Sequence, residues 1–430
     1  TSSSEKNRSA ANEIVAPRIF NYQTLGSGWT NGPVQSAEKA REWVRWAAAN
    51  NIDGIKFFNR GDETPEIDAA AIDEAHKNKM GTVAHLSQNN VAMFNARQAG
   101  DAHLDTVTHY YGHFESLLKD YVVQPWPIDM NANDEQWRFG QVARLWDKIY
   151  PPGSPEWKAY LEEQLKLGTV FDPTLTIYSA GRDVMRFRAA EWHDKYTLPT
   201  LMDFYAPSRN NHGAYWYNWT TEDEVQWRNF YQRWFQLVND YKKMGGRVTT
   251  GSDSGFIYQT YGFGYINEFE MLSEAGFHPL EVIQAATYNG AKTLAEAKLG
   301  YDTEARKFAP IDRGAIKPGL LAGWIYVLIV SVRELSTSIL LYSQAATTKA
   351  LYPLGLALGI PPATLVALFP AVNGYFFIPV YGSMVAAVTF DRSGTTRIGR
   401  FVLDHSFMIP GLVATVTAVA VGLALRPLVG

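Results

Sequence analysis

The uneven distribution of charge constrains this chain more than any local motif does. Of its 39 Lys and Arg, 33 lie before about residue 322, as do 40 of its 43 Asp and Glu. Beyond that point six basic and three acidic residues remain. Leu351 to Phe390 is a run of 40 residues without a charge, and Ser406 to Leu425 adds 20 more. A bilayer span needs about 20 apolar residues. The two parts therefore read as folding against different solvents, the first against water and the second against lipid.

Composition narrows the chemistry. A formal net charge of -4 over 430 residues argues against nucleic acid as a partner. The absence of Cys removes disulfides, thiol catalysis and iron–sulfur clusters, so a metal would need His, Asp, Glu or modified Lys. The chain opens on Thr1 with no signal-peptide pattern, which implies a removed upstream segment or a fragment. Residues 1–15 are expected to be a flexible start.

From Arg18 onward short apolar runs alternate with helical ones. Strands are expected at Arg18–Leu25, Gly54–Phe58, Gly81–Leu86, Thr106–Tyr111, Thr169–Tyr178 and Arg247–Ser252. Helices are expected at Ala37–Asn50, Pro65–Asn78, Val91–Ala99, Asp134–Ile149, Pro155–Leu167, Tyr215–Gly245, Tyr265–Ala275 and Pro279–Leu294. Six such units imply parallel pairing through right-handed crossovers. They fit part of a (β/α)8 barrel or an open doubly wound sheet, and periodicity does not choose between them.

Four polar residues stand at the C-terminal ends of expected strands: Lys56, His85, His109 and Asp253. Two imidazoles, a carboxylate and a further oxygen donor suit a divalent metal. Barrel active sites occupy that end of the strands. His113 is placed as a substrate contact rather than a ligand. The Trp-rich segments, including Trp216, Trp227 and Trp234, read mainly as packing anchors.

These residues, with Pro173-Thr174-Leu175, the run PLEVIQAATYNGAKTL and GAIKPGLLA at Gly314–Ala322, resemble the metal-dependent amidohydrolase superfamily, in its imidazolonepropionase-like or prolidase-like branch. The resemblance covers residues 16–322. It implies an α/β fold holding strands 3–8 of a TIM-like barrel, and hydrolysis of a C–N bond in a small amide, cyclic amide or dipeptide. It also implies a divalent metal, zinc first, as one or two ions. Lys56 (carboxylated), His85, His109 and Asp253 would be the ligands, with Asp253 also the general base. His113, Thr174 and Tyr178 would contact substrate. The family's His-x-His pair has no counterpart here, so a single weakly held ion, or none, is expected.

The segments SQAATTKALYPLGLALGIPP, NGYFFIP and FDRSGTTRIGRFVLDHSFMIPGLVATV resemble the C-terminal end of the anaerobic C4-dicarboxylate transporters, the Dcu family. That resemblance implies an all-α membrane-type helical segment over residues 323–430 and association with a lipid bilayer. It makes Ser343, Gln344, Asn373 and Tyr375 candidate dicarboxylate contacts. Three readings follow: a hydrolase with a membrane tail, a fragment of a dicarboxylate transporter, or a fusion of the two without function. The first is favoured because it accounts for most of the chain.

Overall fold

The computed structural model describes residues 2–58, 63–311, 313–315, 356–372 and 408–429. The chain divides into two compact units, Thr1–Ile316 and Lys317–Gly430.

The first unit is built on five parallel strands: β1 (Tyr22–Thr24), β2 (Gly54–Phe57), β3 (Gly81–His85), β4 (Thr106–Thr108) and β5 (Val170–Asp172). They lie in sequence order, and Val248 bridges Phe171 in parallel at the sixth position. A doubly wound sheet reverses its order at a switch point. This one does not among the described residues, which sets it apart from the doubly wound order. The sheet is not closed among the described residues, since β1 pairs only with β2.

Helices between the strands start where side chains can serve free backbone N–H groups. Ser36 accepts from Lys39 N ahead of Ala37–Ala49. Thr64, followed by Pro65, opens Pro65–Lys77. Ser154 with Pro155 opens Pro155–Leu167, which Gly168 ends in the left-handed conformation (φ 74°). Thr220 and Asp223 form a capping box at the head of Thr221–Lys243. That helix buries Trp227, Phe230, Tyr231, Trp234, Leu237, Val238 and Tyr241, at the three-to-four spacing of one face. Tyr110, just past β4, packs against Phe230 and Trp234 with ring centroids 4.8 and 5.2 Å away. The Trp residues here thus serve the core.

Four local expectations are corrected. Ser2–Ala10 is a helix rather than a flexible start. Long-range bonds hold it: Lys6 Nζ lies 2.7 Å from Asp53 Oδ2, and Asn21 donates to Ser3 Oγ. The expected strand Thr169–Tyr178 stops at Asp172, because Pro173 lacks an N–H and Thr174 turns to φ 45°. The run Arg247–Ser252 contributes one bridge rather than a strand. The helix expected at Val91–Ala99 begins instead at Ala96, where Asn95 and Gln98 make a capping box.

In the second unit the described elements are Pro362–Val372 and Met408–Val429. They pack on each other where Ala367, 5% exposed, meets Gly422. A Cβ at Gly422 would come within 2.9 Å of the Ala367 Cβ, so the contact requires the glycine. Leu358, Val366 and Val416 are left exposed. Met408–Val429 has 22 residues, of which 413–425 have described side chains. Among the described residues no helix is long and apolar enough to cross a membrane, so the expected membrane-type segment is not established by these helices.

Candidate active site

Register puts several polar residues on one face. His85 pairs with Thr108, and Thr108 pairs with Asp172. Neighbours in register point the same way, as do residues two apart on a strand. Lys56 pairs with Val83, two residues before His85, and so joins this face. Lys56 Nζ accordingly donates to Thr108 Oγ1 at 3.3 Å.

Alternation would send His109 to the other face. Instead its backbone turns left-handed (φ 65°), and its ring meets that of His85 edge-on at 4.6 Å. Asp253 is also left-handed (φ 45°), and its Oδ2 lies 3.6 Å from His109 Nε2. Non-glycine residues hold such backbone only where their surroundings enforce it, and they gather at functional sites. Thr174, Ile257 and Tyr258 are left-handed as well.

Burial sets the protonation states. His85 is pushed down to about 3 by burial, then by the charges of Lys56 and Arg138. His109 is held well below the usual imidazole range, again by burial first and then by His85 and Lys56. Both rings are neutral at pH 7, so His109 and Asp253 do not form an ion pair. Burial lowers Lys56 too, opposed by Asp253 and Asp172. Asp253 is 48% exposed on its cavity side. The protein packed around it raises its carboxyl, and Lys56 and His212 oppose that shift.

The proton on His109 can be placed. Thr174 Oγ1 donates to Pro173 O at 2.7 Å, which commits its one hydrogen. His109 Nδ1 is bonded to the same oxygen and is therefore the donor. Neutral His109 then presents a bare Nε2 lone pair to the Asp253 carboxylate. Two acceptors facing each other across 3.6 Å leave a place for an electron-poor partner, a water proton or a cation.

In kind these donors fit a metal: neutral imidazole nitrogen and carboxylate oxygen suit a divalent ion. In arrangement, no group of three His, Cys, Asp or Glu among the described residues is disposed to hold one by itself. A centre would need Lys56 in anionic form as a further donor.

A cavity of about 350 Å³ opens on these groups. His85, Asp253, Tyr111 and Tyr178 line it, with Phe58, Phe139, Tyr215 and Phe256 as aromatic wall and Arg138 and His212 as cationic members. Tyr178 lines the cavity, its hydroxyl 2.5 Å from that of Tyr111. Lys56, His109, Thr174 and His113 are not in the cavity wall. Thr174 is 4% exposed and supports His109 from behind. His113 is 2% exposed, 2.5 Å from the Tyr160 hydroxyl through Nδ1, with its ring against Phe171. Its placement as a substrate contact is therefore corrected to one in the core. Ser343, Gln344, Asn373 and Tyr375 lie outside the described residues.

Sequence reasoning missed Asp172. It ends β5, its Oδ2 accepts from Thr249 at 2.9 Å, and its Oδ1 is buried without a partner among the described residues. Burial raises its carboxyl to about 6, against the pull of Thr249 and Lys56. A carboxylate at a strand end directly before Pro-Thr-Leu was the available signal.

Residues 321–430 match the family model of the anaerobic C4-dicarboxylate membrane transporters, which supports membrane association of this part. The C4-dicarboxylate transporter DcuA of Wolinella succinogenes is 39% identical over 150 residues, 34% of this chain and 34% of that protein. DcuA of Escherichia coli K12 is 56% identical over 88 residues, 20% of each. Among solved structures, a Xaa-Pro dipeptidase with methionine bound in its active site is similar at a TM-score of 0.39 and 18% identity, over 68% of this chain and 60% of that one. A bottromycin amidohydrolase is similar at 0.47 and 17%, over 68% and 59%. The chain spans between a fifth and about a third of the length of these transporter relatives.

Proposed function

We propose that the first unit hydrolyses C–N bonds of small amides or dipeptides at the strand-end cluster. The observation that carries this reading is the His109–Asp253 pair, 3.6 Å apart, with Asp253 in the cavity wall and the bare Nε2 of buried His109 facing its carboxylate. Asp253 takes the proton of a water bonded to it on the cavity side and later delivers it to the leaving nitrogen. Its raised carboxyl is a better base than an ordinary aspartate, and its exposure on the cavity side gives substrate access to it. The aromatic walls exclude bulk water and seat the apolar part of the substrate. Thr174 fixes the His109 tautomer from the far side.

His85, His109, Asp253 and a carboxylated Lys56 are the residues that would hold a divalent ion, zinc first. Such an ion polarises a carbonyl and lowers the pKa of water. Carboxylation needs a neutral amine, which the lowered Lys56 pKa favours. The test is elemental analysis of purified protein after dialysis against zinc or manganese. Bound metal that is lost in Lys56→Ala supports the proposal. No metal in either protein overturns the metal-dependent form of it.

A second reading rests on the match at residues 321–430: that part derives from a dicarboxylate transporter and anchors the chain in a bilayer. Membrane fractionation followed by succinate uptake tests it. Recovery in the membrane fraction without uptake supports an anchor alone.

A further inference from the structure

The connections after β5 and after the Val248 bridge leave the sheet at the same end, because Val248 pairs in parallel with Phe171. The first runs through the short helices Val184–Arg188, His193–Tyr196 and Pro199–Tyr205, and the second enters the helix Phe263–Glu274. Three contacts tie the two together. The Trp192 ring lies nearly flat on Phe263 with centroids 5.3 Å apart, Thr197 Oγ1 is 3.2 Å from Thr260 Oγ1, and Arg186 pairs with Glu270 at 3.6 Å. Tyr196 meets the same Phe263 ring at 5.3 Å. Large apolar side chains stand exposed along this seam. Leu198 and Tyr261 are 68% and 71% exposed, and Tyr196 and Ile266 are exposed beside the half-buried Trp192 and Phe263. One exposed apolar residue is ordinary, whereas a contiguous group of them marks a surface that something covers.

We infer that this face of the first unit docks on a lipid bilayer, with Tyr196, Leu198, Tyr261 and Ile266 entering the interfacial layer. Trp and Tyr are enriched at that depth, and Leu and Ile supply the apolar burial. The charges on the two segments balance, Arg186, Arg188 and Lys195 against Glu191, Asp194 and Glu270. Apolar burial, rather than attraction to headgroups of one sign, therefore drives the docking. The inference rests on the membrane association of residues 321–430, which brings the chain to lipid, and not on the hydrolytic reading. The docked segments also reach the cavity: the Phe204 ring is 6.2 Å from that of Phe256 in its wall, and the Tyr205 hydroxyl donates to Gln259 O at 3.0 Å. Docking thus brings the cavity wall near the lipid.

The chain has no Cys, so one introduced thiol reports one position. Leu198→Cys is labelled with an environment-sensitive fluorophore in the full chain, and Lys158→Cys, at an exposed position on the helix Pro155–Leu167, is the control. Both are reconstituted into phosphatidylcholine vesicles that carry nitroxide-labelled acyl chains. Quenching by the lipid nitroxide is expected to be at least about threefold greater at Leu198 than at Lys158, with the Leu198 label shielded from iodide. Added salt or phosphatidylserine should leave the ratio unchanged, because the charges balance. Tyr196→Ser with Tyr261→Ser, both at exposed positions, should bring the ratio toward one. Equal quenching at the two labels, or a ratio unmoved by the Tyr substitutions, would overturn the inference. Shielding from iodide without lipid quenching would also overturn it, since protein, a second copy or the second unit, would then be the cover. A chain that fails to float with the vesicles overturns the anchor reading together with this one. A chain that floats with Leu198 open to iodide overturns this one alone.

Discussion

His109 Nε2 and Asp253 Oδ2 stand 3.6 Å apart, on residues whose backbones are both left-handed. The His109 side chain would point to the other face if β4 simply continued. The chain adopts unfavourable backbone at both positions and joins two groups 144 residues apart in sequence.

The Thr174–His109 bond should set the activity of that pair. Thr174→Val keeps the shape of the side chain and removes the oxygen that fixes the imidazole. A fall in kcat of about 10–100-fold with KM little moved is expected, as for other partners that orient a reacting group. Steady-state kinetics on the best amide of a panel would check it. An unchanged kcat would mean that the tautomer is set elsewhere.

Glu268 is buried beneath the same turn. Its carboxyl accepts from the Thr176 N–H, Oε2 lying 2.8 Å away, and from the Leu175 N–H. Burial raises its carboxyl well above the ordinary range, so the protonated acid is the favoured form. A carboxyl raised in the folded state adds stability that is complete below its unfolded value near 4.5 and is lost as pH rises through the folded value. Glu268→Gln, which mimics the neutral acid, should fold well and lack that alkaline loss. Glu268→Leu leaves the Thr176 N–H unpaired and should cost ~1–3 kcal/mol. Urea denaturation at pH 5 and pH 9 distinguishes these outcomes.

His113 behaves oppositely with pH. Burial depresses it to about 3, so its stabilising contribution is complete above its unfolded value of 6.5 and disappears as pH falls toward 3. His113→Phe should flatten the acid side of the stability profile and cost about 1 kcal/mol for the lost hydrogen bond to the Tyr160 hydroxyl. Hydrolysis by the folded variant should match the wild type, because His113 is not in the cavity wall. A raised KM would return it to the role of a substrate contact.

How legible this was in the sequence depended on distance along the chain. Strand ends were readable because apolar runs stop there, which is why Lys56, His85 and His109 were found together. Asp253 follows a run that forms one bridge rather than a strand, so its residue type and the family resemblance carry it further than periodicity does. The Pro173–Tyr178 stretch read as strand because its apolar residues alternate well. The break comes from Pro173 and from the backbone turn at Thr174, which serves His109. The helix at Ser2–Ala10 was hidden by its polar composition, since its support comes from Asp53 and Asn51 far away. Arg138 and His212 could not be found by any spacing rule, because a loop and a helix bring them to one wall.

The most direct measurement is the hydrolysis of an N-acyl amino acid and dipeptide panel by the full chain with added zinc or manganese, compared with Asp253→Asn. The account expects metal-dependent release of the free amino group in the wild type and a kcat at least about 10²-fold lower in the variant. Equal rates in the two proteins, or no turnover of any member with metal demonstrably bound, would contradict it.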